Sequence, residues 1–551
     1  MHAPRYLWIA RRQLVAAGCL AGAALFGASL FDTALSGVSR LEARQLTASA
    51  ATAPTRSCEA LTTLTLPDTT IVSAQLVTAG GFVPPSGAGR LDASGLPSFC
   101  RVAAVTKPAI RFEVWLPVDT WNGKFQGVGN GANAGSIGYA AMADALKRGY
   151  ATAGTDTGHQ TENARDGAWA IGHPELLDDF GYRAIHVMTD NGKKVVDRFY
   201  AQPAKFSYFM ACSTGGRQAL MEAQRFPDDY DGIVAGAPAI NWSQFQAGGH
   251  MYVASLFNRD PESYLPATKL KALGDAVNAS CDQLDGIKDG ILSDPRTCTF
   301  DAKALQCEVG KDDASCLTPK QVTAVNAVWA GSHTSNGELI YPGYTRGAEA
   351  AGGAWNNYVS GNGPLSGTHL AQGASTIGYL VHQSATWSLR DFDVEKDAAF
   401  ARQTLGPTFD AFDPDLTRFR SRGGRLLMYH GWNDPSISPL NTINYYEKVV
   451  DVVKKSAGVQ NAEARTQEFA RLFMVPGMLH CGGGPGPNTF DMLTALEKWV
   501  EGKEPPERIT ASHVTDGTVE RTRPLCAYPK VAAYTGAGST DDAVNFVCKA
   551  P

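Results

Sequence analysis

A chain of 551 residues that is 44% hydrophobic can bury a large core, and 57 Gly with 30 Pro mark a loop-rich globular protein, neither disordered nor fibrous. Its formal charge of −5, with no basic stripe, removes the electrostatic case for a nucleic-acid partner.

The N-terminus carries Arg5, Arg11 and Arg12 ahead of an almost uncharged run from Leu14 to Phe31, the order of an export signal. Residues 1–36 are read as that signal, with cleavage near Ala34-Leu35-Ser36. Arg11-Arg12 would also suit a twin-arginine route, and the run is nearly long enough to stay as a membrane anchor. Removing three arginines and Asp32 with the signal moves the charge from −5 to −7. Of eleven cysteines only Cys19 lies in the signal, and an even set in an exported chain implies disulfides. Local closure favours Cys58–Cys100, Cys281–Cys298, Cys307–Cys316 and Cys526–Cys548, leaving Cys212 and Cys481 for each other. No CxxC occurs and no His/Cys cluster has zinc spacing.

From Thr69 to Pro117 alternating, β-branched stretches predict antiparallel strands that open a sheet. Lys124–Gly131 reads as a strand running into a glycine-rich loop. Such a loop is either a flexible turn or a place where backbone N–H groups approach a bound oxygen. Tyr150–His159 is a further strand whose polar end holds Asp156 and His159, read as a metal pair or, with more weight, as lining or structural groups. Tyr182–Tyr200 has helical spacing. Phe206–Leu220, FSYFMACSTGGRQAL, then reads as a buried strand, a tight turn at Ser213 and the start of a helix. Ala211 and Gly215 flank the serine with the small residues that a nucleophile elbow needs. Tyr230–Pro238 is a short buried strand, after which the β/α rhythm stops. The expected fold class is therefore α/β, an α/β-hydrolase core with a large inserted lid domain. Residues 37–239 form the first part of the core, 240–418 the lid and 419–551 the second part of the core.

Three polar residues follow core strands in the order Ser213, Asp434, His480, the chain order of this fold's triad. A hydroxyl nucleophile needs a base near neutrality, and the base needs a carboxylate to fix its tautomer. His430 is the competing base, placed second because it shares a strand-end loop with Asp434. Cys212 precedes the candidate nucleophile and Cys481 follows the candidate base. If Ser213 and His480 lie within hydrogen-bond reach, those cysteines come within disulfide range.

ACSTGG, the Asp434 loop and PGMLHC resemble the motif set of the tannase and feruloyl esterase family, which includes mono(2-hydroxyethyl) terephthalate hydrolase. The resemblance extends through WNGKFQGVGNG, QRFPDDYDGIVAGAP, CDQLDGIKDGI and RTRPLC. It implies that Ser213 is the nucleophile, His480 the general base and acid, and Asp434 the orienting acid, with the N–H groups of Gly129 and Thr214 as oxyanion donors. In CDQLDGIKDGI, Asp282, Asp285 and Asp289 are hard ligands that suit Ca2+, although aspartates in Asp-Gly turns are as often solvated. The resemblance adds main-chain oxygens of Ile287 and Ile291 and implies a structural calcium in the lid, with no organic cofactor. The expected activity is that of a secreted or periplasmic serine esterase on small aromatic esters of feruloyl or galloyl type, without stable membrane association once the signal is gone. Trp355, Tyr379 and Trp387 are candidates for its acyl pocket, although each is expected in the core before the pocket. A terephthalate monoester would favour a basic lid residue, which Ala371–Leu380 lacks. A non-catalytic exported binding protein on the same scaffold is the alternative from another class.

Overall fold

The computed structural model describes residues 57–85, 91, 93–457 and 460–551. The expected signal, its cleavage point and Cys19 lie outside the described residues. In chain order the strands are β1 (Thr69–Val77), β2 (Phe99–Thr106), β3 (Ile110–Pro117), β4 (Lys124–Val128), β5 (Ala151–Thr155), β6 (Phe206–Cys212), β7 (Gly232–Gly236), β8 (Gly331–His333), β9 (Leu339–Pro342), β10 (Arg425–Gly431) and β11 (Ala470–Val475). Nine of them form one sheet in the order β1, β2, β3, β5, β4, β6, β7, β10, β11. The pairings from β1 through β5 are antiparallel, as the alternating segments predict, and those from β5 to β11 are parallel.

Every residue of β5, β7 and β11 is buried. Apart from Arg471 in β11, these strands are continuous runs of apolar and small residues, because helices cover both faces of a parallel sheet. On one face the helix Ala184–Tyr200 sets Ile185, Met188, Val195, Val196 and Phe199 into the core beside Leu220, Met221, Tyr446 and Val449. On the other, the helix Met492–Gly502 packs Leu493, Leu496 and Trp499 against Tyr208, Leu427 and Phe473. Burying each such side chain contributes about 1.5–3 kcal/mol. This is the α/β-hydrolase arrangement, with the carboxyl ends of the parallel strands, where such sheets place their ligands, along one edge.

The inserted stretch between β7 and β10 contains the β8–β9 hairpin, the helices Ala267–Cys281, Pro319–Ala330 and Val394–Thr404, short π turns and two disulfides, Cys281–Cys298 and Cys307–Cys316. Its apolar residues form two clusters. One, around Leu273, Val325 and Trp355, belongs to the insertion alone; the other joins Trp242 and Phe409 to Phe180 and Ala170 from the loops after β5. The insertion thus shares a core with the sheet domain. Four further strands, β12 (Arg508–Thr515), β13 (Thr518–Cys526), β14 (Val531–Tyr534) and β15 (Phe546–Lys549), form two hairpins at the C-terminus.

Candidate active site

Strand β6 ends at Cys212 and the helix Thr214–Arg225 starts at once, so one residue makes the whole reversal. That residue is Ser213, with φ +67° and ψ −126°. A side-chain-bearing residue in such a conformation costs on the order of 1–3 kcal/mol and persists only where its surroundings enforce it. They do so here. Ser213 N–H donates to the Gly236 carbonyl at 2.9 Å, and the Ala211 methyl fills the space between Gly129 and Gly215, where a Cβ at either glycine would come within 2.7 Å of it. Deeper in the same helix the fully buried Arg217 donates to the carbonyls of Gly181 (2.6 Å) and Phe180 (3.0 Å), fastening the elbow helix to the π turn Asp179–Arg183.

His480 follows β11 and Asp434 follows β10, so parallel pairing in register delivers both to the same sheet edge as Ser213. His480 Nε2 lies 2.9 Å from Ser213 Oγ and its Nδ1 2.8 Å from Asp434 Oδ2. A carboxylate only accepts, so Nδ1 carries the proton and Nε2 offers its lone pair to the serine hydroxyl. Asp434 is buried, and its Oδ1 accepts the N–H groups of Ser436 (2.8 Å) and Ile437 (3.0 Å). Burial alone would raise its pKa, but the charge and hydrogen bonds of His480 and His430 outweigh burial and hold the carboxyl well below the usual carboxylate range. His430 stands behind the acid: its Nε2 donates to Asp434 Oδ2 at 3.0 Å, and its Nδ1 faces Thr442 Oγ1 at 2.8 Å. It makes no hydrogen bond to Ser213, so the competing histidine supports the acid.

Cys212 and Cys481 are bridged, with Cα atoms 6.0 Å apart, and so link the residue before Ser213 to the residue after His480. The other described cysteines pair as Cys58–Cys100, Cys281–Cys298, Cys307–Cys316 and Cys526–Cys548.

A cavity of about 520 Å3 opens over Ser213 and His480, within the size range of ligand sites. Gly129 and Thr214 both line it, and so do Phe245, Tyr358, Gln372 and Arg165. Trp355, Tyr379 and Trp387, expected in the core before the pocket, do not. Trp355 is fully buried in the insertion's own core, and Tyr379 and Trp387 pack at the margin of the second cluster. Phe245 and Tyr358 take their place from π turns, whose extra residue per turn shifts the helical face that a sequence pattern would assign. Asp156 and His159 do not form a pair. Asp156 Oδ1 accepts the N–H groups of Arg111 and Gly158, while His159 Nε2 bonds the Asn133 carbonyl and its ring stacks on Trp169.

In the Asp282–Ile291 loop each carboxylate accepts backbone N–H groups: Asp282 from Asp289 and Gly290, Asp285 from Ile287, and Asp289 from Ile291. Asp289 Oδ2 also accepts from Arg523 at 2.8 Å. Among the described residues, the three carboxylates do not bring ligand atoms within 4.8 Å of one another as His186, Glu222 and Asp229 do. Side chains alone therefore do not make a cage. The second oxygens of Asp282 and Asp285, together with loop carbonyls, are hard donors of the kind that Ca2+ takes in flexible numbers.

A family model described as "Tannase and feruloyl esterase" matches residues 95–549. The chain belongs to this family. An uncharacterized esterase of Xanthomonas campestris pv. campestris is 40% identical, over 91% of this chain and 92% of its own. The mono(2-hydroxyethyl) terephthalate hydrolase of Piscinibacter sakaiensis is 37% identical, over 84% of this chain and 86% of its own. Among solved structures, feruloyl esterase B from Aspergillus oryzae superposes with a TM-score of 0.80 at 31% identity, covering 89% of this chain and 99% of that one. The family member described here is a carboxylic ester hydrolase of feruloyl esterase and tannase type.

Proposed function

We propose that the chain is an exported serine esterase that cleaves esters of aromatic carboxylic acids through an acyl-enzyme. One observation carries the reading: an unbroken hydrogen-bonded line from Ser213 through His480 to Asp434, opening on a cavity walled by Phe245 and Tyr358. In the proposed cycle Ser213 Oγ attacks the ester carbonyl while His480 Nε2 takes its proton, and the imidazolium formed is stabilised by ionised Asp434. The N–H groups of Gly129 and Thr214 hold the oxyanion. His480 then protonates the departing alcohol, and water, deprotonated by the same nitrogen, releases the acid. Phe245 and Tyr358 offer aromatic faces to a feruloyl- or galloyl-type acyl group.

Five disulfides support export, since such bridges persist in oxidising compartments. Among the described residues no helix is long and apolar enough to cross a membrane. For the insertion we propose a structural Ca2+ held by Asp282, Asp285, Asp289 and the carbonyls of Ile287 and Ile291, outside the bond-breaking steps. The test of the reaction class is acid release from methyl ferulate, methyl gallate and mono(2-hydroxyethyl) terephthalate by wild type and Ser213→Ala. Loss of at least about 10^4-fold in kcat with an unchanged melting curve is expected. Turnover retained by folded Ser213→Ala would refute the assignment and shift weight to a binding role for the scaffold.

A further inference from the structure

We propose that Arg165 makes a second recognition point inside the catalytic cavity, for a carboxylate on the substrate remote from the ester being cleaved. The proposal rests on the serine-esterase reading above and adds the substrate class.

The charge balance of the cavity carries it. Arg165 is the one permanently charged residue in the lining; no Asp, Glu or Lys accompanies it, and Asp434 lies behind His480. Arg165 is exposed, and among the described residues its hydrogen bonds are main-chain and its guanidinium has no ion pair, although Glu162 and Asp166 are near in sequence. Its main chain, by contrast, is fixed. Arg165 N–H donates to Asn163 Oδ1 at 3.0 Å, and its carbonyl accepts from Asn133 Nδ2 at 3.2 Å. Asn133 N–H holds the adjacent Ala164 carbonyl at 2.7 Å. Asn133 belongs to the glycine-rich loop that begins at Gly129, so the residue carrying the free cation is registered to the loop proposed to hold the oxyanion.

An unpaired arginine on open surface is ordinary. One that shares a concave wall with a nucleophile, with no acid to neutralise it, leaves a five-donor planar fork that matches a carboxylate in two parallel hydrogen bonds. Such a contact leaves the scissile ester untouched, so its effect falls on substrate binding and shows in KM and kcat/KM. The carboxylate has two possible positions. It sits on the acid, as in a monoester of an aromatic dicarboxylic acid, or on the alcohol, as in an ester of a hydroxycarboxylic acid. Ala371–Leu380 of the insertion carries no base; the loop after β5 supplies one.

The experiment compares matched charged and neutral esters. Monomethyl against dimethyl terephthalate tests the acid side, and feruloyl quinate against its methyl ester tests the alcohol side. Arg165→Ala is expected to lower kcat/KM for a charged ester about 10-fold or more while changing its neutral partner less than about 3-fold. Arg165→Lys should recover part of the loss, Arg165→Glu should deepen it, and added salt should raise KM for the charged ester alone. Whichever pair shows the selective loss identifies the side that bears the carboxylate. Equal losses on charged and neutral esters would overturn the proposal in favour of simple packing. Calorimetric binding to Ser213→Ala, with and without Arg165→Ala, reads each side without turnover, terephthalate for the acid and quinate for the alcohol: binding of either lost with Arg165 supports the proposal, and binding of both unchanged refutes it. Ser213-dependent turnover of the neutral esters separately reports on the esterase reading.

Discussion

Replacing Cys212 and Cys481 together by alanine tests whether the bridge acts on the chemistry or only on stability. The bridge closes a segment of sequence separation 269. On the chain-entropy account, cutting it gives back about 5.6 kcal/mol of disorder to the unfolded chain. For roughly 500 ordered residues at ~2.1 cal/mol/K each, that lowers Tm by about 5 °C. The effect on turnover has a different origin. Ser213 and His480 reside in separate strand-end loops, and their 2.9 Å contact is spanned by a disulfide between their immediate neighbours. A widening of about 1 Å on release would cost on the order of 10^2-fold in kcat. Cys307→Ala/Cys316→Ala is the control, because its sequence separation is 9, it lies away from the cavity, and its removal costs only about 2.6 kcal/mol on the same account. Melting curves and steady-state kinetics on a neutral ester read both effects. A Cys212→Ala/Cys481→Ala variant with kcat within about 3-fold of wild type would sink the claim that the bridge sets the nucleophile–base distance, even if Tm fell as expected.

If the Asp282–Ile291 loop holds Ca2+, chelator-treated protein should melt lower and recover on adding calcium, by about 2.7 kcal/mol at a free concentration 100 times Kd; a melting curve indifferent to chelator and calcium would remove the site. His369 is fully buried, and burial lowers its pKa to about 4. Its folded value lies below the unfolded one of ~6.5, so its contribution is complete above pH 6.5 and declines as pH falls toward 4. Between pH 7 and pH 5 wild type should lose about 2 kcal/mol more than His369→Gln, measured by urea unfolding; parallel pH profiles would contradict this.

What the sequence discloses follows from what is local. The elbow is a strand, one residue and a helix, and small side chains at Ala211 and Gly215 are a condition that a reader can check without coordinates. The order Ser213, Asp434, His480 is equally readable, because parallel strands send their following loops to one edge. The aromatic wall of the cavity is not readable in this way. Nothing local separates an aromatic side chain that fills the insertion's core from one that faces the cavity, and the π turns around Phe245 and Tyr358 break the 3.6-residue period that would assign a face. Arg165 lies in a polar stretch, QTENARDGAWA, without periodicity. Its position after a core strand was the available signal, but its lack of a partner appears only in three dimensions. The aspartates of CDQLDGIKDGI were visible as a group, whereas the hold of Arg523 on Asp289 joins residues more than two hundred positions apart.

The insertion also does more than roof the cavity. The loop from Trp432 to Ser438, which carries Asp434, is held from the insertion at several points. His369 Nε2 donates to the Pro435 carbonyl at 2.8 Å, while His250 Nε2 and Tyr344 Oη donate to that of Ser436 at 3.1 and 2.9 Å. Asn433 Nδ2 and Ser438 Oγ reach back to the carbonyls of Gly347 and Gly343 at 2.7 and 2.6 Å. The two histidine rings lie 4.4 Å apart, stacked and buried. Asp434 sets the tautomer of His480, so on the proposed mechanism the insertion reaches the nucleophile through the acid. This divides its residues into two groups with different freedom to vary. His250, His369 and Tyr344 are bound to the position of the acid loop whatever the ester. Phe245, Tyr358 and Gln372, with Arg165 from the loop after β5, line the cavity without that duty, and substrate preference can change there while the hydrogen-bonded line to Ser213 stays intact.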